Sequence, residues 1–212
     1  MPDLTPGPAA PGHRLALALA VTVRHDGHGG VADDLLAPEG LTAWVRAHAG
    51  ALGADLDTAA FTADPRALET VRGLRAAVRS LFAHAVRPGP PSPADAHRLL
   101  PVADAVARLN AAAAQVPVAP ALHWPPHAAR PASHTVAIGG RDDAERLAAA
   151  LARDAIAFLA GPERVLLRAC QGPRCVRYFV KDHPRQEWCK PSCGNRARVA
   201  RHHSRRRAAG TP

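Results

Sequence analysis

The placement of cysteine constrains this chain more than any other feature of its sequence. All four cysteines lie near the C-terminus, in the order Cys170-x4-Cys175-x13-Cys189-x3-Cys193, and the first 169 residues contain none. Two close pairs separated by a loop suit one tetrahedral zinc ion, because each pair can span one edge of the tetrahedron. The spacing therefore predicts one structural zinc ion with four thiolate ligands.

Other uses of these cysteines remain open at the level of sequence. They could form two disulfides, a redox pair or buried thiols without a metal, and His183, His202 or His203 could replace one of them as a ligand. Disulfides suit small secreted domains, and nothing else in the chain resembles one. Four protein ligands would leave no open position for a metal-bound water, so metal-assisted hydrolysis is not expected.

Charge is divided unevenly along the chain. Residues 1–163 hold 14 Lys and Arg against 16 Asp and Glu, a net charge of −2, whereas residues 164–212 hold 13 against 2, a net charge of +11. Four thiolates and one zinc dication would lower the C-terminal charge by about two. The positive charge that remains is typical of a segment that binds a polyanion, although a solubilising tail would have a similar charge.

Length and hydropathy restrict the remaining classes. A chain of 212 residues accommodates one domain of ordinary size and a small one. No apolar run is long enough to span a membrane. The apolar stretch Leu15–Val23 imitates the core of a signal peptide, but the residues before Arg14 are rich in Pro and carry no basic side chain apart from His13. We expect a cytoplasmic protein without a membrane partner.

The first part of the chain is dominated by helical signals. Residues 1–12 predict a disordered start, and residues 13–162 predict a mainly helical domain with one small β-hairpin in residues 116–141. The expected helices lie within residues 14–23, from Pro38 onward, from Asp64 to about Ala85, from Ser92 onward with a kink at Pro101, and from Asp142 to about Ala160.

Two interpretations of charged residues in this domain follow from the helical periodicity. Arg72, Arg75 and Arg79 flank the apolar stripe of the third expected helix and are interpreted as a solvated face. The segment Ser92–Asp95 is interpreted as the cap of the next helix, with Asp95 in its first turn.

The C-terminal residues 163–207 predict a small zinc finger, followed by a tail over residues 208–212. The Gly-Pro pair between Cys170 and Cys175 favours a knuckle, Val176–Lys181 favours a strand and Glu187–Cys189 favours a return strand. A basic helix is expected over about 194–207. The whole chain is thus predicted to be mainly α, with a helical N-terminal domain and a C-terminal four-cysteine, treble-clef-like zinc finger.

The segment Trp188–Arg196 (WCKPSCGNR), followed by a run of Arg and His, resembles the bacterial CGNR zinc-finger family. Members of that family usually carry an N-terminal helical ABATE domain, named as a stress-induced transcription regulator, and residues 13–162 resemble it more weakly. The resemblance implies a ligand pocket that includes Thr22, Trp44 and Arg75. Where the family often has L-D-F-V-N-T, this chain has LALAVT, so Ala18 and Val21 replace polar residues and either change the ligand or remove local caps.

The resemblance and the charge pattern together give candidate nucleic-acid contacts. These are Lys190, Asn195, Arg196, Arg198, Arg201, His202 and Arg205. Arg198, Arg201 and Arg205 are expected on one helix face, since they are spaced at i, i+3 and i+7. Arg196 is expected to matter most for base recognition because the metal would fix its backbone.

These features favour a zinc-dependent DNA-binding transcription regulator that binds double-stranded DNA through its finger. The helical domain would sense a small-molecule effector or form a homodimer. Two alternatives stay open: an RNA-binding zinc module, and an enzyme with its site in the helical domain. We expect no enzymatic activity, because Asp33-Asp34 and Asp142-Asp143 are adjacent pairs whose side chains point apart, and the sequence contains no phosphate loop or nucleophile elbow.

Overall fold

A computed structural model describes residues 14–209 apart from 27, 29, 54, 96 and 139–141, with side chains described up to residue 206. Its helices are α1 (Leu15–Ala20), α2 (Pro38–Ala47), α3 (Ala49–Leu52), α4 (Pro65–Ala85), α5 (Val102–Gln115), α6 (Asp143–Ala160) and α7 (Pro191–Ala209). Its strands are β1 (Val23–His25), β2 (Val31–Asp33), β3 (Val118–His123), β4 (Ala132–Ala137), β5 (Leu167–Ala169) and β6 (Tyr178–Val180). The predicted disordered start and residues 210–212 of the predicted tail lie outside the described residues.

The long helix α4 forms the centre of the N-terminal domain. It packs against α1, α2, α5 and α6, and its buried apolar stripe includes Leu68, Val71, Leu74 and Phe82. The ring of Phe82 contacts the ring of Phe158 on α6, with a distance of 5.3 Å between the ring centroids. The mainly helical character predicted for this region is therefore confirmed. In the described part of the chain, no helix has the length and apolar character needed to cross a membrane.

Helix starts follow the local signals in the sequence. The Asp64 side chain accepts a hydrogen bond from the Ala67 amide, and the Asp142 side chain accepts one from the Glu145 amide. Both residues are N-caps, as predicted, and Pro65 occupies the first turn of α4, where a missing amide hydrogen costs nothing.

The helix after α4 differs from the prediction in its start. Pro93–Asp95 forms an isolated 3₁₀ turn, and α5 begins only at Val102, with Pro101 in the N-cap position. Pro101 therefore precedes the helix instead of kinking it, since a proline is compatible with a helix start but not with a helix interior. Asp95 is buried and is not a helix cap.

Three two-stranded antiparallel sheets accompany the described helices. The predicted hairpin is present as β3–β4, with Val118 opposite Ala137 and His123 opposite Ala132. The hairpin β1–β2 was not predicted, because strands of three residues are too short to give a periodic signal.

The third sheet corrects the predicted order of the finger. Strand β6 pairs with β5, which precedes the knuckle, so the two strands flank Cys170 and Cys175. The predicted return strand over Glu187–Cys189 was wrong, since that segment has no strand pairing in the structure. Helix α7 begins at Pro191, three residues before the predicted start, because proline is favoured in the first turn of a helix.

Candidate metal centre and nucleic-acid interface

The four cysteine sulfurs form one compact cluster. Their Sγ atoms all lie within 4.8 Å of one another. Cys189 Sγ is 3.6 Å from the sulfurs of both Cys175 and Cys193. A tetrahedral zinc ion with bonds of about 2.3 Å to sulfur requires sulfur–sulfur distances of about 3.8 Å. All four cysteines are free, because bonded sulfurs would be about 2 Å apart. The cluster can therefore hold one metal ion.

The electrostatics of the cluster also suit a cation. Hydrogen bonds with Cys175 and Cys189 lower the pKa of Cys170, whereas the contact with Cys170 raises the pKa of Cys175 and of Cys189. Several adjacent thiolates repel one another, which opposes ionisation of all the thiols at once. A divalent cation removes this conflict, and metal binding is then accompanied by proton release.

The knuckle between Cys170 and Cys175 is shaped by backbone geometry. The Cys175 amide donates to the Gly172 carbonyl at 2.8 Å, and Arg174 has a left-handed backbone with φ of 61°. A Cβ atom on Gly172 would lie 2.9 Å from Cys193 Cβ, which is closer than such atoms approach. Glycine at 172 thus lets the knuckle approach the start of α7, where the fourth sulfur lies.

Gly194, which follows the last cysteine, lies against an aromatic ring. A Cβ atom at this position would lie 2.9 Å from Cδ1 of the Trp188 ring. Trp188 and Phe179 pack around the cysteines as a small apolar shell. Glycine here makes room for the indole ring, and the ring in turn covers the first turn of α7.

Arg196 lies against the metal centre. Its Nη2 atom donates to Cys193 Sγ at 3.2 Å, and its Nε is buried. A guanidinium that donates to a thiolate neutralises part of the charge of a four-thiolate site. This geometry favours a role in supporting the metal centre, whereas a role in base recognition would require the guanidinium to leave the sulfur.

The distal part of α7 is an exposed basic helix. Every described side chain from Arg198 to Arg206 is exposed. Arg198, Arg201 and Arg205 line one side of this helix, as their spacing predicts. Arg198 also donates to the Asn195 side chain, and the His202 ring contacts the His203 ring edge-on. The expected contact residues of the distal helix therefore lie on a free surface.

Lys190 and Arg196 lie apart from that surface. They line a cleft of about 290 Å³ between the finger and the hairpin β1–β2, together with Arg24 and Arg177. The predicted nucleic-acid contacts are thus divided into a group on the outer helix and a group beside the metal centre.

Comparison with known families assigns both parts of the molecule. Residues 13–162 match the ABATE family, described as "Putative stress-induced transcription regulator". The chain belongs to the ABATE family. Residues 166–206 match the CGNR zinc finger, and the predicted resemblance to both families is confirmed. No curated protein is similar enough to the chain to serve as a relative.

A buried polar network joins the ABATE domain to the finger. Arg79 donates to both carboxylate oxygens of Asp95, at 2.7 and 3.1 Å, and Asp95 accepts from the Tyr178 hydroxyl at 2.7 Å. Ser92 Oγ donates to the Val176 carbonyl at 2.9 Å, and Arg79 Nη2 contacts the same carbonyl at 3.3 Å. The residue after Cys175 is thus held by side chains of the ABATE domain.

The interpretation of Arg75 and Arg79 as a solvated face was wrong. Their exposed fractions are 6% and 5%. Arg75 donates to both oxygens of Asp33, at 2.5 and 2.6 Å, and to Thr22 Oγ1 at 2.9 Å. Burial raises the pKa of Asp33, but the hydrogen bonds and the charge of Arg75 more than offset this and leave it lowered. Each arginine is compatible with burial because it is paired.

The expected ligand-pocket residues are only partly brought together. Thr22 and Arg75 contact each other. Arg75 also lines a cavity between α4 and the segment that joins α4 to α5. Trp44 stacks on His48, with 4.2 Å between the ring centroids, and does not line that cavity. Ala18 packs against the core and Val21 follows the end of α1, so neither replaces a polar group in the cavity lining. The sequence alone contained no signal for Asp95 and Ser92, which link the cavity to the finger.

Proposed function

We propose that this protein is a DNA-binding transcription regulator whose finger requires one zinc ion. The four cysteines supply the ligand set, and a thiolate site of this kind suits zinc in a reducing compartment, so the proposal includes a cytoplasmic location. When bound, the zinc ion supplies a closed structural site that fixes the start of α7. We assign the protein no catalytic role.

One observation carries this proposal. The metal cluster fixes the first turn of a 19-residue helix whose described side chains from Arg198 onward are all exposed, with Arg198, Arg201 and Arg205 on one side. A helix that is polar on all sides gains little from the protein core. A duplex groove with its phosphates would supply the missing partner, since an α-helix fits the major groove and arginine binds phosphate and guanine.

The RNA-binding alternative is less well supported. Recognition of single-stranded RNA usually depends on exposed aromatic rings that stack on bases. The exposed fractions of Tyr178 and Phe179 are 1% and 7%, and Trp188 is half-buried with one edge of its ring against Gly194. The finger therefore presents cations without a stacking platform.

Competition binding tests the proposal directly. The zinc-loaded chain is titrated with labelled duplex DNA, and unlabelled duplex DNA and single-stranded RNA of equal length compete. We expect duplex DNA to compete better and the affinity to fall steeply with salt. If about five phosphates are contacted, the logarithm of the binding constant should fall with the logarithm of salt concentration with a slope near −5. Better competition by single-stranded RNA would favour the alternative.

We further propose that the ABATE domain forms a homodimer through the hairpin β3–β4. Its Leu122, Trp124 and Val136 side chains are 71%, 61% and 47% exposed. Exposed apolar groups on one hairpin favour association. Sedimentation of the wild type should show a dimer that a Leu122→Ser/Trp124→Ser double variant loses, and a wild-type monomer at high concentration would contradict this part of the proposal.

A further inference from the structure

A small, strongly cationic cavity lies between α4 and the segment that joins α4 to α5. Its volume is about 210 Å³, which corresponds to about seven water molecules. Its lining contains Arg72, Arg75, Arg79 and Arg98, and Asp95 is the acidic residue among them. Ala76, Ala94 and Leu99 add apolar surface. A cavity of this size suits a small metabolite and excludes a macromolecule.

The four arginines differ in their partners. Arg75 and Arg79 are buried and bound to Asp33 and Asp95. Arg72 and Arg98 are exposed at the mouth, where Arg72 lies close enough to Asp33 for its charge to help lower the pKa of that carboxyl. The four arginines of the cavity are thus opposed by two carboxylates, Asp33 and Asp95, which leaves an excess of two positive charges. Such an arrangement attracts a small anion.

We infer that this cavity binds a small oxyanion, a molecule with a carboxylate or phosphate group, held by Arg72 and Arg98. A guanidinium binds either group through two parallel hydrogen bonds, which a lysine could not provide. This inference deepens the proposed function, on which it rests for its biological meaning, since it gives the chemical class of the effector.

Occupation of the cavity is coupled to the finger through Arg79. This side chain lines the cavity, and its Nη2 atom contacts Asp95, Ser92 and the Val176 carbonyl. An anion in the cavity competes with Asp95 and Val176 for the guanidinium. Because Val176 follows Cys175, a shift of Arg79 changes the backbone beside the metal centre. The ligand thereby favours one arrangement of the finger over another.

The first experiment measures binding by the full-length, zinc-loaded protein. Inorganic phosphate, acetate and succinate are titrated at constant ionic strength, with acetamide and succinamide as neutral counterparts. We expect saturable binding of at least one anion and none of the amides. An Arg72→Gln/Arg98→Gln double variant should bind at least about tenfold more weakly, since each loses a charge-assisted hydrogen bond. Arg66→Gln changes an exposed arginine on the same helix outside the cavity and should leave binding unchanged.

Two results would overturn the assignment of the cavity: absence of binding by all three anions up to about 10 mM, or equal binding by the double variant. The phosphate and carboxylate titrations distinguish the two oxyanion classes. Preference for phosphate indicates a phosphate ester as the ligand, and preference for succinate indicates a dicarboxylate.

The second experiment measures coupling without DNA. The amide resonance of Arg177 reports on the Val176 carbonyl, since both belong to one peptide group. It should shift on anion binding in the wild type. In Arg79→Lys the anion should still bind without this shift, and in Ser92→Ala, which retains the pair of Arg79 with Asp95, the shift should be smaller. Equal shifts in all three proteins would overturn the coupling.

DNA affinity with and without the anion is measured separately. Anion binding and the Arg177 shift in a protein that does not bind DNA would contradict the proposed function and support the inference. DNA binding in a protein whose cavity binds no anion would support the proposed function and contradict the inference.

Discussion

The ABATE domain and the finger are stabilised in different ways. The ABATE domain buries a continuous apolar core around α4, with Leu19, Val45 and Phe82 fully buried. The finger has a separate cluster of its cysteines with Phe179 and Trp188 around them. A core that small does not offset the entropy of folding, so we expect metal binding to supply the difference.

The two regions are not fully separate, because some finger residues belong to the apolar core of the ABATE domain and others to the cysteine cluster. Leu167, Tyr178 and Val180 of β5 and β6 belong to the apolar core of the ABATE domain. Phe179, between two of them, faces the cysteines. The alternation of side chains along a strand thus connects the two cores. The hairpin β5–β6 is stabilised by the ABATE domain, whereas we expect α7 to depend on a metal ion bound by the cysteines.

The largest effect is expected from removal of one metal ligand. Cys189→Ser should lose the zinc ion and DNA binding, because about 10–16 kcal/mol of metal-binding free energy supports such a site. Elemental analysis and circular dichroism should show loss of zinc and of the helicity of α7, with the ABATE domain and the hairpin β5–β6 retained. Ser192→Ala, an exposed change in the first turn of α7, is the control. Stoichiometric zinc in the Cys189→Ser protein would refute the four-cysteine site.

A smaller effect is expected within the ABATE domain. Asp33→Asn should lower the free energy of unfolding by about 3 kcal/mol, since it leaves Arg75 buried without its partner. The pKa of Asp33 is lowered in the folded state, so its stabilising contribution is present above the unfolded pKa of about 4 and is lost as the pH falls through the folded pKa.

The pH dependence provides the check on this prediction. Denaturant unfolding of the wild type and of Asp33→Asn should differ by a constant amount between pH 7 and about pH 5 and by less below about pH 4. Asp34→Asn removes an exposed carboxylate at the next position and is the matched control. A difference in unfolding free energy that grows on acidification would show that the pKa of Asp33 is raised, so that its carboxyl is protonated more readily in the native state than in the unfolded chain.

The sequence predicted interactions between residues that are close along the chain and missed those between residues that are far apart. The caps Asp64 and Asp142 and the cysteine spacing are local signals, and they were predicted. The pair of Arg79 with Asp95 and the contact of Tyr178 with Asp95 join residues 16 and 83 positions apart. A paired arginine and a solvated arginine occupy the same place in a helical pattern, so periodicity could not separate them.

The buried network between the two regions gives a third prediction. Tyr178→Phe keeps the ring but removes the hydroxyl bonded to Asp95, and we expect a loss of about 1–2 kcal/mol. A double-mutant cycle with Ser92→Ala should give a non-zero coupling energy, because the Ser92 and Tyr178 hydroxyls are joined through Arg79 and Asp95. Additive effects in chemical denaturation would indicate that the two regions are joined by apolar packing alone.

The smallest effect is expected on the exposed face of α7. Arg201→Ala should make the slope of the logarithm of the DNA-binding constant against the logarithm of salt concentration less negative by about one. This is the change expected for the loss of one phosphate contact. Arg206→Ala removes the same charge from a position about 100° around the helix from Arg205 and should have a weaker effect. Binding isotherms are measured at several salt concentrations. Equal effects of the two variants would indicate diffuse attraction to the phosphates without a defined binding face on α7.

The unsupported length of α7 has a consequence for the kinetics of binding. The helix extends about 18 Å beyond Ala197, the last buried residue described in it. Charges on such an extension meet an incoming polyanion before the body of the protein does, and they raise the rate of productive encounter. Residues beside the metal engage only after docking and therefore govern residence time. In the proposed complex with DNA, the two ends of one helix would thus control different rates, and selection could adjust capture and release of a target independently.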